Sequence, residues 1–257
     1  MKTVIRARLT LLAVAAVLMV HTTRAATYTY TGNGQADVNG AIGAGTMTLT
    51  DSGTTIRGTV NLGGSSPGSW ANYLILYIDS QPGGFTTTVG FSDVTGPVTK
   101  SISGFSSAGR ATANFAPGFA ADYAIVLSRS PGSTHMLYQL ANGSALGPSK
   151  NITFTDNGSS IWTFSFSLAD IGATSPYFKF QSTVTGSVGT GYRYLESYES
   201  VTGIKGFNTV NFNNYSTFGV DPVPEPTNIA LAVFGGVVVL GGTVSYWRQR
   251  NRANMQS

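Results

Sequence analysis

The chain has 257 residues, with 15 Lys and Arg against 11 Asp and Glu, a formal charge of +4, and no cysteine. The missing cysteines exclude a disulfide framework, thiol catalysis and thiolate metal sites. The positive balance invites a nucleic-acid reading, but the basic residues gather at the two ends, so the overall charge describes those ends and not the body between them.

At the N-terminus, Lys2, Arg6 and Arg8 precede a 12-residue apolar run from Leu9 to Val20, and His21 to Ala26 is a short segment ending in small residues. This is the pattern of a secretory signal peptide over residues 1–26, with cleavage expected after Ala25 or Ala26. The apolar run is too short to span a membrane comfortably. Of the 15 basic residues, four (Lys2, Arg6, Arg8, Arg24) fall in this leader and three (Arg248, Arg250, Arg252) in the tail; eight remain against 10 acidic ones, Asp37 through Asp221, a net of −2. No basic stripe is left to neutralise phosphates, so no nucleic-acid partner is expected.

Residues 27–221 are rich in Gly, Ser and Thr and read as one all-β domain. Strands are expected at Thr27–Tyr30, then as a hairpin in which Met47 and Leu49 alternate with threonines, Asp51-Ser52-Gly53 turns, and Ile56, Val60 and Leu62 return on one face. The apolar runs Tyr73–Ile78 and Tyr123–Leu127 look like central strands buried on both faces. Further strands are expected around Val98–Ile102, Met136–Leu140, Tyr177–Phe180, Tyr192–Tyr198 and Thr209–Phe212. A second hairpin runs from Ile152 and Phe154 through Asp156-Asn157-Gly158 to Ile161–Phe166. Only Leu168-Ala169-Asp170-Ile171-Gly172 suggests a helical turn, closed by its glycine. Many short strands with regular turn signals point to a single β-sandwich of jelly-roll type, set between a signal peptide and a C-terminal transmembrane helix.

Three segments carry a resemblance: Leu74-Ile75-Leu76-Tyr77-Ile78-Asp79 followed by Pro82-Gly83-Gly84, then Phe119-Ala120-Ala121-Asp122-Tyr123-Ala124, and Phe166-Ser167-Leu168-Ala169-Asp170-Ile171-Gly172. They resemble the β-sandwich modules grouped with family-nine carbohydrate-binding and DOMON-like domains. That resemblance implies a non-catalytic sandwich able to bind sugars. No ligand-stacking tryptophan of those modules maps onto a position here, so no binding residue is carried over.

Few residues in the body suggest chemistry. Gly64-Ser65-Ser66-Pro67-Gly68 fits Gly-x-Ser-x-Gly, with Asp122 and His135 following in hydrolase order, but the motif sits in a loop between β-like segments without the helix that a nucleophile elbow needs. His135, the only histidine after the leader, reads more readily as packed or surface-lying than as a base or ligand. Glu196 and Glu199, three apart on the expected strand, would point to opposite faces rather than into one cleft, which disfavours glycoside hydrolysis. Asp79 and Asp122 flank the central strands and have two readings: convergent ligand contacts or a calcium site, or a turn start and a strand cap. The most sugar-like feature is the row Tyr192, Tyr194 and Tyr198 with Glu196 on one strand face, for tyrosines both stack and hydrogen-bond. Tyrosines at period two equally fill a sandwich core. Trp162 lies in so regular a strand that a structural role is expected, and Trp70 has the same two readings as the tyrosines. Nothing in the sequence calls for a cofactor or a metal.

The C-terminal segment is the most specific. Asp221-Pro-Val-Pro-Glu-Pro-Thr-Asn gives a stiff junction over residues 222–228, followed by an uncharged run of 19 residues, Ile229–Trp247. As a helix that run spans about 28 Å, close to the hydrocarbon thickness of a bilayer. Arg248, Arg250 and Arg252 in the tail 248–257 would face the cytoplasm. The order Pro224-Glu225-Pro226, apolar helix, arginine cluster resembles the PEP-CTERM sorting signal; a plain single-pass anchor is the alternative. The resemblance implies export, temporary tethering in the inner membrane, processing by an exosortase, and a link to exopolysaccharide or biofilm matrix. Expected partners are therefore the exosortase, the secretion machinery, the membrane and extracellular polysaccharide. The expected function is that of a surface or matrix protein with a non-catalytic domain, and the alternative is a carbohydrate-binding module contacting polysaccharide through Tyr192, Tyr194, Glu196, Tyr198 and Asp79.

Overall fold

The alternation of threonine with Met47 and Leu49 folds as expected: β2 (Thr46–Asp51) and β3 (Thr55–Asn61) form an antiparallel hairpin with Thr50 opposite Arg57. Its turn is held by Asp51, whose Oδ1 accepts from the Gly53 N–H at 2.6 Å, and by Ser52, whose hydroxyl donates to the Thr55 carbonyl. These coordinates are a computed structural model, which describes residues 25–36, 40–63, 73–106, 109–128, 135–143, 145–156, 160–188, 191–194, 196–203 and 209–219. At 105–106, 187–188 and 191–193 it describes the backbone alone. Residues 1–24 of the leader, the Gly64–Gly68 motif, Trp70, and the sorting residues Pro224, Glu225, Pro226, Arg248, Arg250 and Arg252 lie outside the described residues, as does the apolar run Ile229–Trp247. Among the described residues no helix is long and apolar enough to cross a membrane.

Two large antiparallel sheets dominate. The first orders β1 (Thr27–Thr31), β2, β3, β12 (Ile161–Ser167) and β11 (Thr153–Asp156). The second orders β10 (Ser149–Asn151), β9 (Met136–Gln139), β8 (Tyr123–Ser128), β4 (Tyr73–Asp79), β13 (Phe178–Val188) and β14 (Gly191–Tyr194), with β17 (Ser216–Phe218) also pairing with β13. One apolar cluster joins them: Met47, Leu49, Ile56, Val60, Trp162, Phe164 and Phe166 from the first sheet meet Leu74, Leu76, Ile78, Ile125, Leu127, Phe178 and Phe180 from the second. Each such side chain contributes about 1.5–3 kcal/mol by leaving water, and Trp162 is fully buried here.

A second cluster covers the far side of the larger sheet. Tyr73, Ile75, Tyr77, Ala124 and Val126 point away from the first cluster and pack against Val98, Ile102, Ala111, Ala113, Phe115 and Phe212. That is why β4 and β8 read as continuous apolar runs: both of their faces are inside. The covering layer consists of short elements, of which the sequence predicts the strand at Thr209–Phe212 and reads the helix as a strand, while the others carry no local signal. The layer comprises β5 (Phe105–Ser106), β6 (Gly109–Arg110), β7 (Thr112–Asn114), β15 (Val201–Gly203), β16 (Thr209–Phe212) and one helix, Pro97–Ser103.

The helix corrects the expected strand at Val98–Ile102. Pro97 opens it with a preset φ, Thr99 Oγ1 accepts from the Gly96 N–H at 3.1 Å, and Gly104 ends it at φ +60°, where a Cβ would lie 2.3 Å from the Ala111 carbonyl oxygen. Local capping thus overrode the β-branched content of Val98, Thr99 and Ile102. The expected turn at Leu168–Ile171 is a 3₁₀ helix closed by Gly172 at φ +64°. The strand expected at Tyr177–Phe180 is longer, Phe178–Val188, while that expected at Tyr192–Tyr198 ends at Tyr194.

Candidate functional site

The structure corrects the reading of Tyr194, Glu196 and Tyr198 as a surface platform. Tyr194 is 2% exposed; its hydroxyl donates to the Ile102 carbonyl at 3.2 Å and lies 3.3 Å from that of Tyr77, which donates to the same carbonyl at 2.8 Å. Burial pushes both phenols up. Tyr198 packs into the core between the large sheets, and its buried hydroxyl has no hydrogen-bond partner among the described residues. The Tyr192 backbone pairs with Ser187, and its side chain lies outside the described residues. The strand stops at Tyr194, so the alternation does not extend to Tyr198, and both glutamates beyond it are buried.

Glu196 is fully buried and works as a clamp. Its Oε1 accepts from the Gly40 N–H at 2.9 Å, and its Oε2 from Ile42 at 2.7 Å and Gly43 at 3.1 Å. Three backbone donors of the loop before β2 thus converge on one carboxylate. Glu199 is also buried, not opposed across a strand; Oε2 accepts from the Ser182 N–H and hydroxyl, both at 2.7 Å, and from Ser197 at 3.0 Å, while Oε1 accepts from Ser216 at 2.8 Å. Burial pushes its carboxyl up, and these four donors pull it part of the way back.

Asp79 and Asp122 serve turns. Asp79, at the end of β4, faces Lys179 across the register with β13; its Oδ2 lies 3.4 Å from Lys179 Nζ and accepts from the Ala120 N–H at 3.2 Å. Lys179 also donates to the Gly118 carbonyl and sits 5.1 Å from the centre of the Tyr215 ring. Asp122 Oδ2 accepts from Ser80 and Gln81, so it caps the turn that Asp79 begins. Burial raises its pKa, and the nearby Asp79 charge adds to the shift. Beside this turn a shallow cleft of about 360 Å³ is lined by Gln81, Pro82, Gly172, Ser175 and Tyr177 among others. His135 stacks on Phe154 with ring centres 3.7 Å apart, Nδ1 accepting from the Ser128 N–H; burial lowers its pKa. Among the described residues no group of three or more His, Asp or Glu side chains is placed to hold a metal ion.

A surface the sequence reading did not single out is the outer face of the five-stranded sheet. β1 presents Thr27, Thr29 and Thr31, β2 Thr46, Thr48 and Thr50, β3 Thr55, Arg57, Thr59 and Asn61, β12 Ile161, Thr163, Ser165 and Ser167, and β11 Thr153 and Thr155. Register partners line up across all five strands: Thr29, Thr48, Thr59, Thr163 and Thr155 form one row, and Thr27, Thr50, Arg57, Ser165 and Thr153 the next. Neighbouring hydroxyls pair, Thr27 with Thr50 at 3.1 Å and Thr29 with Thr48 at 3.2 Å. Arg57 is the one charged residue on the face, and beside it a depression of about 450 Å³ lies over β3, β12 and β11. The signal was legible as Thr-Tyr-Thr-Tyr-Thr at 27–31 and Thr-Met-Thr-Leu-Thr at 46–50, but only the register shows that the threonines align.

The chain matches no known protein-family profile, no curated protein and no solved structure.

Proposed function

We propose that this is an exported, exosortase-sorted protein of the cell surface or extracellular matrix, associated with exopolysaccharide. In this reading its domain is a non-catalytic β-sandwich of jelly-roll type between a signal peptide and a transmembrane helix. The observation that carries it is the three-part tail: Pro224-Glu225-Pro226, the apolar run Ile229–Trp247, and Arg248, Arg250 and Arg252 in that order. A stop-transfer helix followed by arginines fixes orientation with the Pro-Glu-Pro segment outside, where a processing enzyme meets it. The body supports a binding or scaffolding role, because its buried glutamates are occupied by backbone and serine donors.

The test is the fate of Glu225→Ala in a bacterium that carries the processing machinery. The variant should accumulate as an unprocessed, membrane-held precursor with the β domain intact, since Glu225 follows residues 27–221 in the sequence. Normal surface release of the variant would refute the sorting reading. The second reading, a polysaccharide-binding module, is favoured by the hydroxyl-covered sheet face rather than by the tyrosine row.

A further inference from the structure

We infer that the threonine face of the five-stranded sheet is a contact surface for an acidic polysaccharide, with Arg57 receiving a sugar carboxylate. This rests on the extracellular reading above, and it assigns the contact to residues outside the tyrosine row. Solvated sheet faces are ordinarily studded with lysine and glutamate of both signs, which keep sheets soluble and apart. Here the outward positions carry threonine, serine and asparagine, with Ile161 as the large apolar exception and Arg57 as the single charge.

Each hydroxyl both donates and accepts, as the hydroxyls of a sugar do. Threonine is stiff about χ1, so ordering this face on binding costs little entropy. The hydroxyl rows step from strand to strand by about 4.7–4.9 Å, comparable with the rise of one pyranose unit in an extended chain. Adjacent strands also rotate by about 20–25°, so a rigid planar partner would touch only part of the face. A flexible polymer follows the twist.

The charge pattern then selects the polymer. Arg57 is exposed, and no carboxylate pairs with it among the described residues. It borders the depression of about 450 Å³ with Gly58, Thr59, Thr153, Thr163 and Ser165, a volume within the range of small-ligand sites. A guanidinium fork matches a carboxylate through two parallel hydrogen bonds, and the hydroxyls around it suit the rest of a uronic acid ring.

The experiment measures binding of the full chain, in mild detergent, to immobilised polygalacturonate and to uncharged dextran. Saturable binding to polygalacturonate, weaker on dextran and weakened by salt, is the expected result. Arg57→Gln should lower the affinity at least about tenfold, the worth of one charge-assisted hydrogen bond. Thr59→Val with Thr163→Val should also lower it, while the buried Tyr194→Phe should leave it unchanged. Absence of binding, equal binding to both polymers, or an Arg57→Gln variant that binds like the wild type overturns the inference. If the polymer binds and the face variants are silent, this inference falls while the matrix reading stands. Normal release of Glu225→Ala would overturn the sorting reading and leave this one.

Discussion

Replacing Glu196 separates a structural carboxylate from one that waits for a ligand. In the folded chain Glu196 is fully buried and takes three backbone donors, from Gly40, Ile42 and Gly43, at 2.7–3.1 Å. Hydrogen bonds to a charged group contribute about 1.5–3 kcal/mol each, and a buried donor left unpaired costs about 1–3 kcal/mol. Glu196→Ala strips all three partners at once and should cost about 4 kcal/mol or more, even allowing water to enter. Glu196→Gln keeps one carbonyl oxygen but turns an amide N–H toward at least one backbone donor, so about 2–4 kcal/mol is expected. Against a total stability of about 5–15 kcal/mol, both losses are large. Urea unfolding followed by the fluorescence of buried Trp162 would measure them as a shift in midpoint. A carboxylate held for a ligand would show the opposite sign, since relieving an uncompensated buried charge stabilises. Unfolding of Glu196→Gln within about 0.5 kcal/mol of the wild type, or above it, would refute the clamp.

Gly58→Ala should destabilise by about 1–3 kcal/mol through overpacking, because a Cβ there would sit 2.1 Å from the Phe164 ring. The neighbouring outward Thr59→Ala should change the same unfolding midpoint little. Two buried groups give pH dependences of opposite sign, each read by comparing urea midpoints of variant and wild type across pH. Burial lowers the His135 pKa, so its contribution is present above 6.5 and is lost as pH falls through the folded value; His135→Gln should remove that acid-side loss. Burial raises the Glu199 pKa, so its contribution is present below 4.5 and is lost as pH rises through the folded value; Glu199→Gln should flatten that slope.

What was legible in the sequence was whatever depends on short-range period. The alternation at Met47, Leu49, Ile56 and Val60 gave the first hairpin, the regular run Ile161–Phe166 gave the second, and the unbroken runs at 73–78 and 123–127 gave the two central strands buried on both faces. Illegible were elements whose form is set by neighbours distant in sequence. β7 pairs in parallel with β16, nearly a hundred residues on, and nothing local announces a three-residue strand at Thr112–Asn114. The row at 192–198 failed for a related reason. Its alternation is genuine in sequence, but buried donors in the loop at 40–43 hold Glu196, and Ser182 and Ser216 hold Glu199. A sequence shows a carboxylate; it does not show who has already claimed it.

That point governs where recognition can reside in so charge-poor a chain. Asp51 accepts from Gly53, Asp79 from Ala120, Asp93 from Thr95 and Leu146, Asp122 from Ser80 and Gln81, Glu196 from the loop at 40–43, and Glu199 from Ser182. Each of these carboxylates satisfies a backbone N–H in a turn or beside one of the sheets. A buried donor without such a partner costs as much as a lost core methylene or more, so these acids hold loops in place in a protein that has no disulfides to do so. A ligand recruiting one of them would have to compete with the backbone for the same oxygen. Arg57 is under no such constraint: it stands on the solvent side of β3, on a face where threonine hydroxyls pair with one another, Thr27 with Thr50 and Thr29 with Thr48. Arg57 and the paired hydroxyls of Thr27, Thr50, Thr29 and Thr48 can therefore change partners without releasing a backbone donor, and binding is to be sought on that face first.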